Sequence, residues 1–183
     1  MADTPRLFAH ALPCWLLAPG WRLPQGYPLS VEYPTVDEVV AMYCVRFNYP
    51  PDPRIIGLQA RRRLQAALLR PANYVHYEGA DFAKQVAVLA HAISEGQFFP
   101  DGNKRLAYVV TKSFLDAYGF QIVATRTDFT SWMVMLSEPE EGEKRARWDV
   151  ERFDSVLRRW LVPNYVTYGR ILGYAIVAKC VFR

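Results

Sequence analysis

Residues 96–107 read GQFFPDGNKRLA. Asp101 supplies a carboxylate of the kind magnesium takes together with phosphate oxygens. Gly102 lets the backbone turn sharply, point successive N–H groups at one spot and approach a ligand closely. Asn103 has an amide that caps a helix or donates to an oxygen. Lys104 and Arg105 add two cations. These residues precede LAYVVTKSFL, a run with helical spacing. They therefore fall at a helix N-terminus, where unpaired N–H groups and the positive end of the dipole attract anions. Cations in a first helical turn oppose that dipole, and an anionic ligand removes the conflict. Together these features describe a place for a nucleotide's phosphates and their metal. The same residues also describe a plain capped helix start, with Asp101 or Asn103 as cap, Gly102 as turn and the cations solvated.

The elements that must hold this stretch are helical. Thr35 and Glu38 form a capping-box pattern, which predicts a helix from Val36 that stops before Pro50. Helix formers over residues 57–69 predict a second. Its Arg61, Arg62 and Arg63 read as a solvated face rather than a nucleic-acid contact. Residues 70–79, RPANYVHYEG, read as a loop or small hairpin because of Pro71 and Gly79. Phe82, Val86, Leu89 and Ile93 predict a buried helix ending near Glu95. Leu106, Val109, Val110, Phe114 and Ala117 continue the pattern after the loop, with Gly119 as its stop. A helix over residues 129–136 and a last one capped by Asp149 and ended by Pro163 complete the set. Phe82, Leu89, Val110, Phe114, Phe153 and Trp160 are the expected core. No strand series is long enough for a sheet.

The expected architecture is all-α, a bundle of about six helices over residues 35–162. A proline-rich extension precedes it over residues 1–34, and a tail follows over residues 163–183. The chain has 183 residues, enough to bury a core without staples. A formal charge of +4 favours an anionic ligand but does not by itself imply nucleic acid. Cys14, Cys44 and Cys180 have neither zinc spacing nor a disulfide framework, so a reducing cytoplasm is expected. Residues 7–18, LFAHALPCWLLA, make a poor export signal and are too short to span a bilayer, so no membrane role is expected.

QFFPDGNKR resembles the Fic/Doc family motif in its Doc-like form, H-x-F-x-D-[GA]-N-K-R. LQAALLRP with the Tyr/Gly stretch and DFAKQVAVLAHAISEG upstream, and FLDAYGFQI downstream, are also similar to Doc-type domains. The resemblance covers about residues 35–162 and implies the family's helical bundle. It implies that Phe99 anchors the loop, that Asp101 holds Mg2+, and that Gly102 and Asn103 form the anion nest. Lys104 and Arg105 would grip the phosphates of ATP or another nucleoside triphosphate. Tyr74, His76 and Tyr77 would belong to a flap that positions the target segment. Family members transfer AMP, or in Doc a phosphate, to a protein hydroxyl. Doc acts on elongation factor Tu and is neutralised by a Phd-type antitoxin.

One position departs from the motif. Gln97 stands where the family has its catalytic histidine. An amide hydrogen-bonds a hydroxyl but does not take its proton at physiological pH. The expectation is a Doc-like toxin weakened or silenced at this residue. The alternatives are a non-catalytic nucleotide- or partner-binding protein of the same fold, and a helical interaction domain with no nucleotide site. His76, in the expected flap, is the candidate substitute base, and His91 reads as a core or groove-wall residue. SEPEEG at 137–142 matches a short inhibitory pattern of some Fic proteins, but Pro139 interrupts it. It reads as an acidic loop, and Glu141 is not counted as a regulator.

Overall fold

The computed structural model describes residues 31–52, 54–137 and 148–163. Residues 1–30, residues 164–183, Cys14, Cys180 and Glu141 lie outside the described residues. Among these, six helices run in the order α1 (Val36–Phe47), α2 (Leu58–Glu78), α3 (Phe82–Glu95), α4 (Asn103–Ala117), α5 (Arg126–Met135) and α6 (Val150–Trp160). The all-α expectation holds. No described helix is long and apolar enough to cross a membrane.

The central element is α3, packed against α2, α4, α5 and α6. Its large apolar residues Phe82, Val86, Leu89 and Ile93 are fully buried, and Ala83, Ala87 and Ala90 between them let neighbouring backbones approach. Its polar residues are also satisfied. Lys84 forms an ion pair with Glu151. Gln85 accepts from the Tyr33 hydroxyl at 2.7 Å and donates to the Ala80 carbonyl at 3.0 Å. The Ser94 hydroxyl donates to the Met133 carbonyl.

The helix starts follow local chemistry. The Thr35 hydroxyl accepts from the Glu38 N–H and the Glu38 carboxylate accepts from the Thr35 N–H, so both halves of the capping box are made. Asp81, Thr125 and Asp149 cap α3, α5 and α6 in the same way, each accepting from the N–H three residues on. Residues 31–34 are tied to the bundle too. The Tyr118 hydroxyl accepts from the Glu32 N–H at 2.6 Å, and the Tyr33 ring stacks on Phe114 at 5.9 Å.

Four expectations are corrected. The stretch at 70–79 is neither loop nor hairpin: α2 runs through Pro71 to Glu78 and closes at Gly79, whose φ is 64°. A proline inside a helix forfeits one hydrogen bond. Here Pro71 is buried with Leu64, Ala67 and Leu68 on the packed face, and that burial outweighs the loss. Second, a two-stranded antiparallel sheet does exist. β1 (Phe120–Ile122) pairs with β2 (Leu161–Pro163), Gln121 opposite Val162, and three-residue strands leave no readable periodicity. Third, Trp160 is 43% exposed, because the last position of α6 lies at the rim, where the ring leans on Trp132. The other five expected core residues are buried. Fourth, on α4 Val109 is half-buried and Ala117 exposed, so its buried stripe is narrower than the spacing predicts.

Candidate functional site

The loop between α3 and α4 is held by its own aromatic residues and by one amide. Phe98 and Phe99 turn inward and are 7% and 3% exposed. The Phe99 ring stacks on Tyr43 of α1 with centroids 4.0 Å apart, and Tyr43 in turn packs on Phe47 at 4.6 Å. Burial pushes the Tyr43 hydroxyl above its ordinary range, and the nearby Tyr49 and Asp101 add to the rise. The Asn103 side-chain oxygen accepts from the N–H groups of Phe98 and Phe99, both at 3.0 Å, and its amide donates to the Phe99 carbonyl at 2.8 Å. Three hydrogen bonds from one side chain fix the loop's path. This side chain therefore works on the loop, and what Asn103 offers the cleft is its backbone N–H.

Gly102 has φ 78° and stands just before α4. A side chain there would run into the Phe47 ring as well as demand a left-handed backbone. No side chain caps the helix, and its first turn holds no acidic residue. The positive end of α4 thus opens, with Lys104 and Arg105, onto a cleft of about 470 Å³. Residues 94–97 and 99–105 line the cleft together with Thr130, Val134 and Ser137. Arg105 Nη2 lies 2.8 Å from Asp101 Oδ2, and its guanidinium sits 4.6 Å from the Phe47 ring centroid. Asp101 is largely exposed, its side chain 83% accessible.

Gln97 is an exposed lining residue of this cleft, ahead of the α4 N-terminus. Arg63 of α2 donates to its carbonyl at 2.9 Å and lies over the Phe98 ring. The backbone at Gln97 is therefore pinned while its side chain remains at the cleft surface.

Gln97, Asp101, Gly102, Asn103, Lys104 and Arg105 are thus brought together. Tyr74, His76 and Tyr77 are not. They ride the last turns of α2, where Tyr74 lies beneath Lys84 in the first turn of α3. The candidate loop follows the other end of α3, 14 residues on, or about 20 Å away along a helix axis. His76 packs edge-on against Tyr77 and is not positioned to serve a hydroxyl beside Gln97. His91 is half-buried on α3, its Nδ1 3.6 Å from Glu95 Oε2. Sequence reasoning missed Arg63 and Phe47. Arg63 lay hidden in an arginine run read as solvated, of which Arg61 pairs with Asp37 and Arg63 holds the loop.

Asp101 is one carboxylate, and among the described residues no group of three or more His, Cys, Asp or Glu gathers to hold a metal ion. The donor set fits magnesium only as an ion that arrives with phosphate oxygens, which is its common mode.

Fold and site together define a mostly helical domain whose α3–α4 loop opens onto a cleft at the start of α4. The family model described as Fic/DOC family matches residues 31–115. That segment runs from the tie at Glu32 to Leu115 of α4 and contains the whole loop. No curated protein shows a significant match to the chain.

Proposed function

We propose that this domain binds a nucleoside triphosphate such as ATP, with Mg2+, at the N-terminus of α4. In this reading it is a Doc-like transferase that passes a phosphoryl or adenylyl group to a protein hydroxyl. The observation that carries the reading is the open α4 N-terminus: Gly102 at positive φ, no side-chain cap, no acidic residue in the first turn, and Lys104 and Arg105 facing the cleft. The family match over residues 31–115 supports it. Backbone N–H groups and the helix dipole would hold phosphate oxygens, with the two cations closing around them. Asp101 would hold the magnesium ion, which when bound neutralises phosphate charge. Arg105 would then exchange the Asp101 carboxylate for a phosphate.

At Gln97 the chain lacks a proton acceptor. General-base catalysis contributes about 10²–10⁴-fold, roughly 3–5 kcal/mol. Positioning and electrostatics supply most of the rest of phosphoryl transfer, so binding is retained and chemistry is slow. By likeness to Doc, the target would be a translation factor such as elongation factor Tu, with a Phd-like antitoxin as partner in the cytoplasm. The exposed amide of Gln97 equally favours a second reading, a nucleotide-binding domain that does no chemistry.

Calorimetry with ATP and magnesium tests the site. Arg105→Ala should weaken binding about tenfold, the loss of one charge-assisted contact. Arg62→Ala, on the exposed face of α2, should leave it unchanged. Equal affinities for both variants and the parent would remove the assignment. Labelled ATP in a translation extract separates the transferase from the binding protein.

A further inference from the structure

A second cavity, about 320 Å³, adjoins the cleft and shares Arg105 and Thr130 with it. Three arginines from three helices meet there: Arg46 from the last turn of α1, Arg105 from the first turn of α4 and Arg126 at the first position of α5. None of the lining residues is acidic. Arg46 and Arg105 gather on one ring, their guanidinium carbons 5.7 and 4.6 Å from the Phe47 centroid. Nearby carboxylates are already engaged. Asp101 pairs with Arg105, and Asp128 accepts from the Thr125 hydroxyl at 2.6 Å and supports the α5 cap. Arg105 and Arg126 both occupy first helical turns, where a cation opposes the dipole. Half-buried Tyr108 also lines the cavity. Asp101 offsets the charge of Arg105 only, so gathering three guanidinium groups around one concave surface stays unfavourable unless a further anion joins them.

We infer that this three-arginine cavity is a second anion subsite. It takes the further phosphates of a ligand whose first phosphate sits at the α4 N-terminus, with Arg46 and Arg126 as the residues that select polyphosphates over monophosphates. The inference rests on the nucleotide reading above. Arg105, common to both cavities, is the bridge between the two phosphate positions. Guanidinium forks suit this task because they bind phosphate oxygens in pairs.

The test is calorimetric titration of the full chain with ATP, AMP and inorganic pyrophosphate, for the parent, Arg46→Gln and Arg126→Gln. Circular dichroism confirms that each variant is folded. The expected result is tighter binding of ATP than AMP by the parent. Each variant should lose about tenfold in ATP and pyrophosphate affinity, one charge-assisted contact's worth, with AMP unchanged. Parent-like ATP and pyrophosphate binding in both variants would overturn the inference. So would an equal loss for AMP, which marks damage to the first site. If the parent binds pyrophosphate but no nucleotide, and both variants weaken it, the subsite stands and the nucleotide reading falls. If the parent binds neither, both fall.

Discussion

The ring of Phe47, at the end of α1, fills the space that a side chain on Gly102 would need. An aromatic from one helix thus dictates glycine at the entrance to another, and the loop's backbone comes close enough to the cleft for its N–H groups to face a ligand. Gly102→Ala meets two penalties. One is a left-handed backbone, roughly 1–2 kcal/mol, and the other is overpacking against an aromatic ring, about 1–3 kcal/mol. A loss of about 2–5 kcal/mol in chemical denaturation is expected, with affinity for the proposed nucleotide falling as the α4 N-terminus shifts. Parent-like stability would mean that Phe47 swings aside freely.

Asn103 separates loop architecture from anion binding. Asn103→Ala removes the acceptor for two loop N–H groups and the donor to the Phe99 carbonyl. Leaving part-buried groups unsatisfied costs about 1–3 kcal/mol. Asn103→Asp keeps the acceptor and should retain much of that stability, yet it places a negative charge beside the proposed phosphate position. The expected outcome is a partly stable protein with sharply weaker nucleotide binding. Thermal denaturation and calorimetry on the two variants read the two effects apart, and equal behaviour of the variants would contradict the division.

What could be read from the chain and what could not divides along sequence separation. The Thr35–Glu38 box, the Asp149 cap and the spacing of Phe82, Val86, Leu89 and Ile93 are local, and they gave α1, α6 and α3 with little error. The loop at 96–102 and the start of α4 were legible for the same reason, whereas the bonds of the Asn103 side chain to the loop backbone were not foreseen. Pro71 misled because its local preference was overruled by burial on the packed face of α2. The relations that shape the site were invisible because they link distant positions: Phe47 under Gly102, Arg63 on the Gln97 carbonyl, and Arg46 and Arg126 around Arg105. Only a folded chain brings such pairs together.

A carboxylate that contributes to stability against acid lies at the other end of α3 from the cleft, at Asp81. Arg158 of α6 grips the Asp81 cap with two hydrogen bonds, 2.7 and 2.6 Å, and holds Asp154 at 3.0 Å. Burial alone would raise the Asp81 carboxyl, but the bonds from Arg158 and the Lys84 N–H outweigh it and hold the carboxyl below its ordinary range. A depressed carboxyl stabilises the fold above its unfolded value and loses that contribution as pH falls through the folded one. Asp154, raised by burial, works in the opposite sense: its contribution is present at low pH and is lost as pH rises through its raised value. Arg158→Ala should cost about 1–2 kcal/mol at neutral pH, below the ~3–5 of a fully buried pair because the side chain is 42% exposed. Asp81→Asn should flatten the fall in stability as pH drops from about 5 to below the ordinary carboxyl value of about 4. Denaturant midpoints across that range check both, and an unchanged acid slope in Asp81→Asn would assign the acid limit to other carboxylates.

Gln97 carries the test of the chemistry. Its backbone is fixed by Arg63 while its side chain stays exposed at the cleft, so the fold does not depend on the amide. Gln97→His should leave stability within about 0.5 kcal/mol of the parent, as for substitutions away from packed features. Nucleotide affinity should also stay close, because the groups proposed to hold magnesium and phosphate begin at Asp101. What changes is the presence of a base beside the α4 N-terminus. If the protein is a transferase disarmed at this one position, labelled-ATP transfer to a protein target should rise by 10²-fold or more, the usual general-base contribution. Transfer in the histidine variant should then fall as pH drops below the imidazole's ordinary range near 6.5, where the base becomes protonated. Expression of that variant should slow growth. A variant that binds nucleotide normally and transfers nothing would favour the binding-protein reading. A glutamine form already transferring at the histidine form's rate would show that the reaction here runs without a base at this position.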